Sequence, residues 1–365
     1  MSDGGRADRL AAAVAEEGLD ALVVGDLVRP GDSGPDAIAD LRWLTGFAGT
    51  SGLALVGPEI RLFLTDFRYV ERAEREVDPS FERRSVQRLI PELAKLLSGR
   101  VGFNEARTSV RVLRKLTEEA ADWLELVAVE GLAGRLRRSK DAAEQRAIVA
   151  AAQLADEVYE WTLDQGLAGR VERDVARAAE ARIRDLGAEP AFPVIVAGGP
   201  NAALPHAEPS EREIGSGELV VFDMGAKLDA YCSDCTRTLA SGPVDGEAAE
   251  VYELVRSAQA AALEAIRAGV GGPDADAAAR EPIAAAGHGE RFGHGLGHGV
   301  GLEVHEPPRL AQRSEDTLVE GDVVTVEPGV YLPGRLGVRI EDLVVVTADG
   351  HRNLSSLPKD LRVID

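Results

Sequence analysis

Short apolar runs bounded by polar and glycine positions recur through the first third of the chain. Ala21-Leu22-Val23-Val24, Leu53-Ala54-Leu55-Val56 and Arg61-Leu62-Phe63-Leu64-Thr65 read as buried strands. Helical spacing follows at 69–76, 89–97 and 109–121. Strands alternating with helices predict an α/β layer over this region. Gly131-Leu132-Ala133-Gly134, followed by the basic Arg135-Leu136-Arg137-Arg138, reads as a linker. The boundary is placed there, giving domains 1–133 and 134–365.

Asp141-Ala142-Ala143-Glu144 then opens a helix with a capping box. The helix is expected to reach about 165, with Ala147, Ala151, Leu154, Val158 and Trp161 along one stripe. A second helix covers 172–186. A loop around Gly198-Gly199-Pro200-Asn201 and a strand pair over 219–239 follow. The order then repeats, with helices over 246–268 and 274–286, a glycine-rich loop and a strand pair over 323–346. Two readings fit: an internal duplication, or an α+β domain whose elements recur by chance.

Composition excludes whole classes of function. The chain has 365 residues, 45% hydrophobic and 28% charged, the proportions of a globular protein. Lys and Arg number 41 against 62 Asp and Glu, a net charge of −21. With no basic patch in view, nucleic acid and anionic membranes are excluded as partners. No apolar run approaches a membrane span, and Met1–Arg6 lacks the pattern of a signal peptide. Two cysteines, Cys232 and Cys235, are too few for a disulfide scaffold and read as a cytoplasmic setting.

Chemistry enters with the strand pairs. A turn at Leu228-Asp229 would place Asp223 opposite Asp234, two like charges in an otherwise apolar ladder. Such a pair is costly unless a proton or cation lies between the groups, or unless one Asp points to solvent. Val323-Val324-Thr325-Val326 leads into Glu327, and Gly337-Val338-Arg339-Ile340 into Glu341, again acids after strongly β-forming runs. Packed face to face, the two halves would bring four carboxylates together, a charge that two divalent cations neutralise. Between the pairs lies His294-Gly295-Leu296-Gly297-His298-Gly299-Val300-Gly301-Leu302-Glu303-Val304-His305-Glu306, whose glycines suit close approach of backbone to a ligand. One His with four carboxylates is an oxygen-rich set, suited to Mn²⁺, Co²⁺ or Fe²⁺ more than to a thiolate zinc site. Cys232 and Cys235 fall on opposite faces of a strand and cannot chelate together. Cys232, on the face of Asp234, either lines the site or fills a small buried space.

In order and approximate spacing, Asp223, Asp234, His298, Glu327 and Glu341 match the five ligands of the pita-bread metallopeptidases, the superfamily of methionine aminopeptidase, aminopeptidase P and prolidase. Tyr231–Thr238, Gly297–Glu306, Glu327-Pro328-Gly329 and Gly337–Asp342 resemble motifs of its Xaa-Pro branch. Leu44–Gly52 and Thr65–Tyr69 are similar to segments of bacterial aminopeptidase P proteins. Methionine aminopeptidases usually lack this second domain, and creatinase-like relatives lose the metal ligands. Cys235 and Leu239 are small departures that bear on packing.

The resemblance implies an α+β fold: a C-terminal pita-bread domain with pseudo-two-fold duplication, after a smaller α/β creatinase-type domain. It implies a dinuclear Xaa-Pro aminopeptidase, with Xaa-Pro dipeptidase as the alternative. A non-peptide C–N hydrolase and a metal-free binding protein are remoter readings. Two divalent ions are expected, Mn²⁺ foremost, with Co²⁺, Fe²⁺ or Zn²⁺ possible, in a cytoplasmic homodimer. Glu327 would shuttle the proton of the attacking water. His305 would stand near the substrate carbonyl, and His206 would close over the substrate from a loop. His294, Arg309 and Tyr331 are placed on the substrate side. Arg339, with Tyr331, would orient the carboxylates from behind. Arg309 either clamps a dipeptide carboxylate or caps a loop at Pro307-Pro308.

Overall fold

A computed structural model describes residues 5–28, 38–120 and 123–364. The first residues, on which the signal-peptide reading rests, and position 121 of the expected 109–121 helix lie outside that description. The chain divides into two units, residues 1–137 and 138–365.

In the first unit the apolar runs become strands because each can bury both faces. β1 (Ala21–Val24), β2 (Gly52–Val56), β3 (Arg61–Thr65), β4 (Glu82–Ser85), β5 (Gly99–Asn104) and β6 (Leu124–Val129) form one mixed sheet, ordered β4-β3-β2-β1-β5-β6. Helices α1 (Arg6–Glu16), α2 (Ala39–Thr45), α3 (Val70–Glu76), α4 (Leu89–Leu96) and α5 (Val110–Glu119) accompany it. Leu53, Leu55, Leu62, Leu64, Leu93 and Leu116 share its core. β4 is an exposed edge strand of Glu-Arg-Arg-Ser, so no hydrophobic pattern announces it. The expected linker is instead helix α6 (Leu132–Arg138), with Leu132, Ala133 and Arg137 buried. Gly131, at φ 49°, makes the turn into it, and Arg137 Nη1 donates to Asp40 Oδ1 at 2.8 Å.

In the second unit α7 (Ala142–Leu163) starts as expected: Asp141 accepts from the Ala143 and Glu144 amides, and Glu144 accepts from the Asp141 amide. Its buried face differs from the expected stripe. Ile148, Ala151, Ala155, Val158 and Tyr159 are buried, whereas Ala147, Leu154 and Trp161 sit half-buried at the margin. Small residues at 151, 152 and 155 let the hairpin beyond approach closely, and Ser233 Oγ donates to the Ala151 carbonyl at 3.2 Å.

The repeat is visible in the pairing. The first half runs α8 (Glu172–Asp185), β7 (Glu189–Pro190), β8 (Ile195–Gly198), β9 (Leu219–Met224), β10 (Ala226–Leu228), β11 (Tyr231–Cys232) and β12 (Cys235–Ala240). The second runs α9 (Gly246–Ala265), α10 (Gly272–Ala285), β13 (Gly297–Gly299), β14 (Glu306–Leu310), β15 (Val323–Val326), β16 (Gly329–Leu332), β17 (Leu336–Arg339) and β18 (Asp342–Val346), with β19 (His351–Asn353) at an edge. β9 lies between β8 and β12 as β15 lies between β13 and β18. Both long hairpins are interrupted partway, the first at Gly225 and Ser233-Asp234, the second at Glu327-Pro328 and Ile340-Glu341. Matching order and pairing favour duplication over chance recurrence.

One register is corrected. The first hairpin turns at Asp229-Ala230, at φ 49° and 75°, and not at Leu228-Asp229. Two left-handed central residues are what a two-residue hairpin turn with matching twist requires. Asp223 therefore opposes Thr236, not Asp234. The slip is two residues, so the facing of the two acids is unchanged.

Candidate metal centre

The hairpin interruptions put the acids where backbone leaves the ladder. Asp223 is the penultimate residue of the fully buried β9, and Asp234 stands in the break before β12. Glu327 follows β15 directly and Glu341 precedes β18. His298 is the middle residue of β13. A Cβ on Gly297 would lie 2.0 Å from the Thr325 carbonyl oxygen, and one on Gly299 would lie 2.2 Å from that of Pro307. These glycines thus allow the close passage of β13 past neighbouring strands, and Gly297 also lines the cavity described below.

The five residues converge. His298 Nε2 lies 3.2 Å from Glu327 Oε1 and 3.7 Å from Asp234 Oδ2. One ligand atom each of Asp234, His298 and Glu341 fall within 4.8 Å of one another. Thr236 Oγ1 donates to Glu341 Oε2 at 2.6 Å and Thr325 Oγ1 to Glu327 Oε1 at 3.0 Å. Arg339 Nη2 donates to Asp223 Oδ2 at 2.5 Å. Asp223 Oδ1 and Glu341 Oε1 are buried with no hydrogen-bond partner among the described residues. Buried acceptors are normally satisfied, so two orphaned oxygens facing one histidine and further carboxylates fit cation ligation.

The electrostatics agree. Burial pushes Asp234 and Glu341 well above the usual carboxylate range, and repulsion among the four acids adds to it. Burial also raises Asp223, against the pull of Arg339. Burial would raise Glu327 too, but the hydrogen bond from His298 and nearby positive charge hold it at about 2. A divalent cation among these groups supplies the missing positive charge and favours the ionised form of each.

Around the cluster opens a cavity of about 510 Å³ lined by His206, His294, His305, Arg309, Glu327 and Arg339, with Phe192, Pro193, Ile195 and Val304 among its apolar walls. His305 packs its ring 4.3 Å from that of His298. Partial burial, with repulsion from His298 and Arg309, pushes its imidazole down to about 4, although its outer edge meets solvent. His294 Nε2 and the Tyr331 hydroxyl are 2.9 Å apart, and Arg339 Nη1 donates to that hydroxyl at 3.1 Å. Tyr331 thus stands one layer behind the cavity wall. Arg309 lies on strand β14, paired with His298, so Pro307-Pro308 is strand and not loop. Cys232 and Cys235 are buried thiols outside any disulfide, in separate hydrophobic clusters, and neither lines the cavity.

Three buried polar knots that the sequence reading missed hold the site. Glu172 accepts from the Gly198 amide at 2.8 Å, from Asn201 Nδ2 and from the amide and hydroxyl of Ser210, bracketing the loop that carries His206. Asp276 accepts from the Leu296 amide and from Arg280, whose guanidinium binds the Phe292 and His294 carbonyls. Arg237 joins the halves: it binds Asp342 at 2.8 Å and the carbonyls of Thr236, Glu341, Leu357 and Pro358. Thr236 and Thr325 carried a signal, each two residues from an acid and so on its strand face.

Comparison with known proteins agrees with this geometry. The model of metallopeptidase family M24 matches residues 146–348, and the creatinase/prolidase N-terminal domain matches 6–139. A Xaa-Pro dipeptidase of Pyrococcus horikoshii is 35% identical over 326 residues, covering 88% of this chain and 92% of its own. The structure of a Xaa-Pro dipeptidase from Bacillus anthracis superposes with a TM-score of 0.91 at 36% identity, over 98% of this chain and 99% of that one. That of an X-Pro aminopeptidase from Thermotoga maritima gives 0.88 at 35%, over 98% and 100%. The chain belongs to metallopeptidase family M24, with a creatinase-type N-terminal domain and the pita-bread fold. It is a hydrolase, and the family implies divalent metal ions. Among the described residues, no helix is long and apolar enough to cross a membrane.

Proposed function

We propose that the protein hydrolyses the bond between an N-terminal residue and a following proline, and that free Xaa-Pro dipeptides are its preferred substrates. The observation that carries this reading is the meeting of four acids and His298 in one cavity, with two carboxylate oxygens left unpartnered among the described residues. Asp223, Asp234, His298, Glu327 and Glu341 would hold two divalent cations, Mn²⁺ foremost. Bound there, the cations would activate a water molecule and polarise the scissile carbonyl.

The chain's own groups supply the rest. Thr325 Oγ1 donates to Glu327 Oε1 and so orients this carboxylate, which would accept the proton of the attacking water. A carboxylate that also holds a cation is a weak base, so transfer requires a hydrogen bond already formed. His305, neutral at pH 7, would donate an N–H to the oxygen of the carbonyl as charge develops there. His206 would cover the substrate from its loop, and Arg339 keeps Asp223 aimed.

The preference for dipeptides rests on Arg309. Its guanidinium lines the cavity, is exposed, and makes no hydrogen bond among the described residues, as suits a free carboxylate arriving with the substrate. The likeness to the dipeptidases of P. horikoshii and B. anthracis points the same way. Xaa-Pro aminopeptidase is the second reading, favoured by the likeness to the T. maritima enzyme. Buried cysteines outside any disulfide suit the cytoplasm, and a homodimer is retained as the expected assembly. To test the reading, chelator-stripped protein is reloaded with Mn²⁺ and assayed on Xaa-Pro, Xaa-Pro-Yaa and longer peptides. Turnover falling with length supports the dipeptidase, the reverse supports the aminopeptidase, and failure on all with metal bound refutes both.

A further inference from the structure

A buried ion pair stands beside His305, and no step of the proposed reaction uses it. Lys140 Nζ donates to Glu306 Oε1 at 2.7 Å, with each side chain only 1% exposed. The second Glu306 oxygen accepts from the Glu303 amide at 3.3 Å, and a Cβ on Gly301 would meet Oε1 at 2.7 Å, so the turn over 301–306 is wrapped on this carboxylate. The ammonium comes from an equally fixed backbone. Lys140 N–H donates to the Gly321 carbonyl at 2.9 Å, and the Lys140 carbonyl accepts from Gln145 Nε2.

Strand β14 explains what such a pair can do. Along Glu306–Leu310 burial alternates: 306, 308 and 310 are buried, while 307 and 309 are exposed. His305, Arg309 and Ala311, all on the exposed parity, line the cavity. A slip of one residue would turn that row inward. Main-chain pairing guards weakly against a slip here, because Pro307 and Pro308 have no N–H to give and the register with β13 shifts between His298 and Gly299. Stability does not account for the pair, since a buried ion pair replaced by apolar residues of similar volume is often as stable or more so. A buried polar partner that fixes register is its best-attested use.

We infer that Lys140 and Glu306 form a register lock that makes β14 present His305 and Arg309 to the cavity. Both are positioning residues, acting through the row they align. The inference rests on the proposed reading for the roles of His305 and Arg309.

The test uses the metal-loaded full chain carrying Glu306→Gln, Lys140→Met, the charge-free pair Lys140→Met/Glu306→Leu, and each Glu306 change combined with His305→Ala. Metal content, Tm, and kcat and KM on a Xaa-Pro dipeptide are followed on Mn²⁺-loaded protein, and the His305 imidazole NMR signals on protein loaded with diamagnetic Zn²⁺. The variants are expected to keep their metal, lose about ten- to a hundredfold in kcat/KM, and shift or broaden the His305 signals. With His305 already removed, the further loss shrinks markedly. The charge-free pair is expected to regain Tm without regaining kcat/KM, which separates alignment from stability. Wild-type kcat/KM and unmoved His305 signals in that pair would overturn the lock, as would effects of Glu306 and His305 that multiply independently. If the single variants do not fold, the charge-free pair decides. If wild-type protein cleaves no Xaa-Pro peptide, the functional reading fails, while the imidazole signals still judge the lock.

Discussion

The two halves of the C-terminal unit share order and pairing, yet only one supplies an imidazole to the carboxylate cluster. β8 and β13 occupy matching places beside the long hairpins. β8 reads Ile-Val-Ala-Gly and is aliphatic, whereas β13 carries His298 between two glycines. The acids, by contrast, fall at or beside the hairpin breaks in both halves. A repeated scaffold fixes where charge can be buried, and a local substitution then decides which half holds nitrogen. The loop histidines differ likewise. His206 is exposed on a loop tied by Glu172, while His294 is mostly enclosed on a segment tied by Asp276 and Arg280.

The sharpest way to break this comparison is to remove one ligand from each half. Asp234→Asn and His298→Ala are both expected to abolish metal binding and hydrolysis together, as read by elemental analysis and peptide assay. Full activity in either would mean the site is elsewhere. Loosening the two knots comes next. Glu172→Ala leaves several buried donors without an acceptor, a loss of about 3–5 kcal/mol. It should show as a lower Tm and a raised KM, because the freed loop carries His206 to the substrate. Asp276→Ala frees the Leu296 amide, two residues before His298, so it should lower metal affinity first. A competition titration against a chelator distinguishes the two.

Smaller effects sharpen the picture. Arg309→Ala should raise KM for dipeptides by the roughly 1.5–3 kcal/mol of a charged hydrogen bond, or about ten- to a hundredfold, and barely touch tripeptides. The pH dependence of the metal-free protein is smallest. Asp234 and Glu341 have folded pKa values raised above those of the unfolded chain, so the folded state holds protons that the unfolded state would release. Stability should therefore rise as pH falls from above the carboxylate range through the raised values, flattening near the unfolded pKa of about 4. Metal-loaded protein should show the reverse, because acid displaces the cations. Tm against pH, with and without chelator, reads both trends, and parallel curves would count against a cation in the cluster.

Much of the architecture was legible because burial leaves a trace in one dimension. The β1, β2 and β3 runs and the capping box at Asp141 act through neighbouring residues, and the structure keeps them. The acids stood out because charge rarely follows Val-Val-Phe or Val-Thr-Val. What the sequence concealed depends on partners far along the chain. The turn at Asp229-Ala230 was misplaced because an alanine at positive φ is unusual for its type. β4 has no apolar residue to betray it. Glu172, Asp276 and Arg237 looked like ordinary helix or strand charges, since nothing local says that a helix acid will collect amides from a loop.

The Arg237 knot has a further consequence. Its guanidinium is anchored as much by the carbonyls of Leu357 and Pro358 as by Asp342, and Lys359 also reaches Asp342 at 2.7 Å. The final stretch of chain is therefore a keystone for groups more than a hundred residues upstream. Proteolysis just before Leu357 would remove no ligand, yet it would strip a buried cation of two carbonyl acceptors immediately behind Glu341. Trimming this tail should blunt catalysis as a distant, indirect injury, with every reacting group still in the polypeptide.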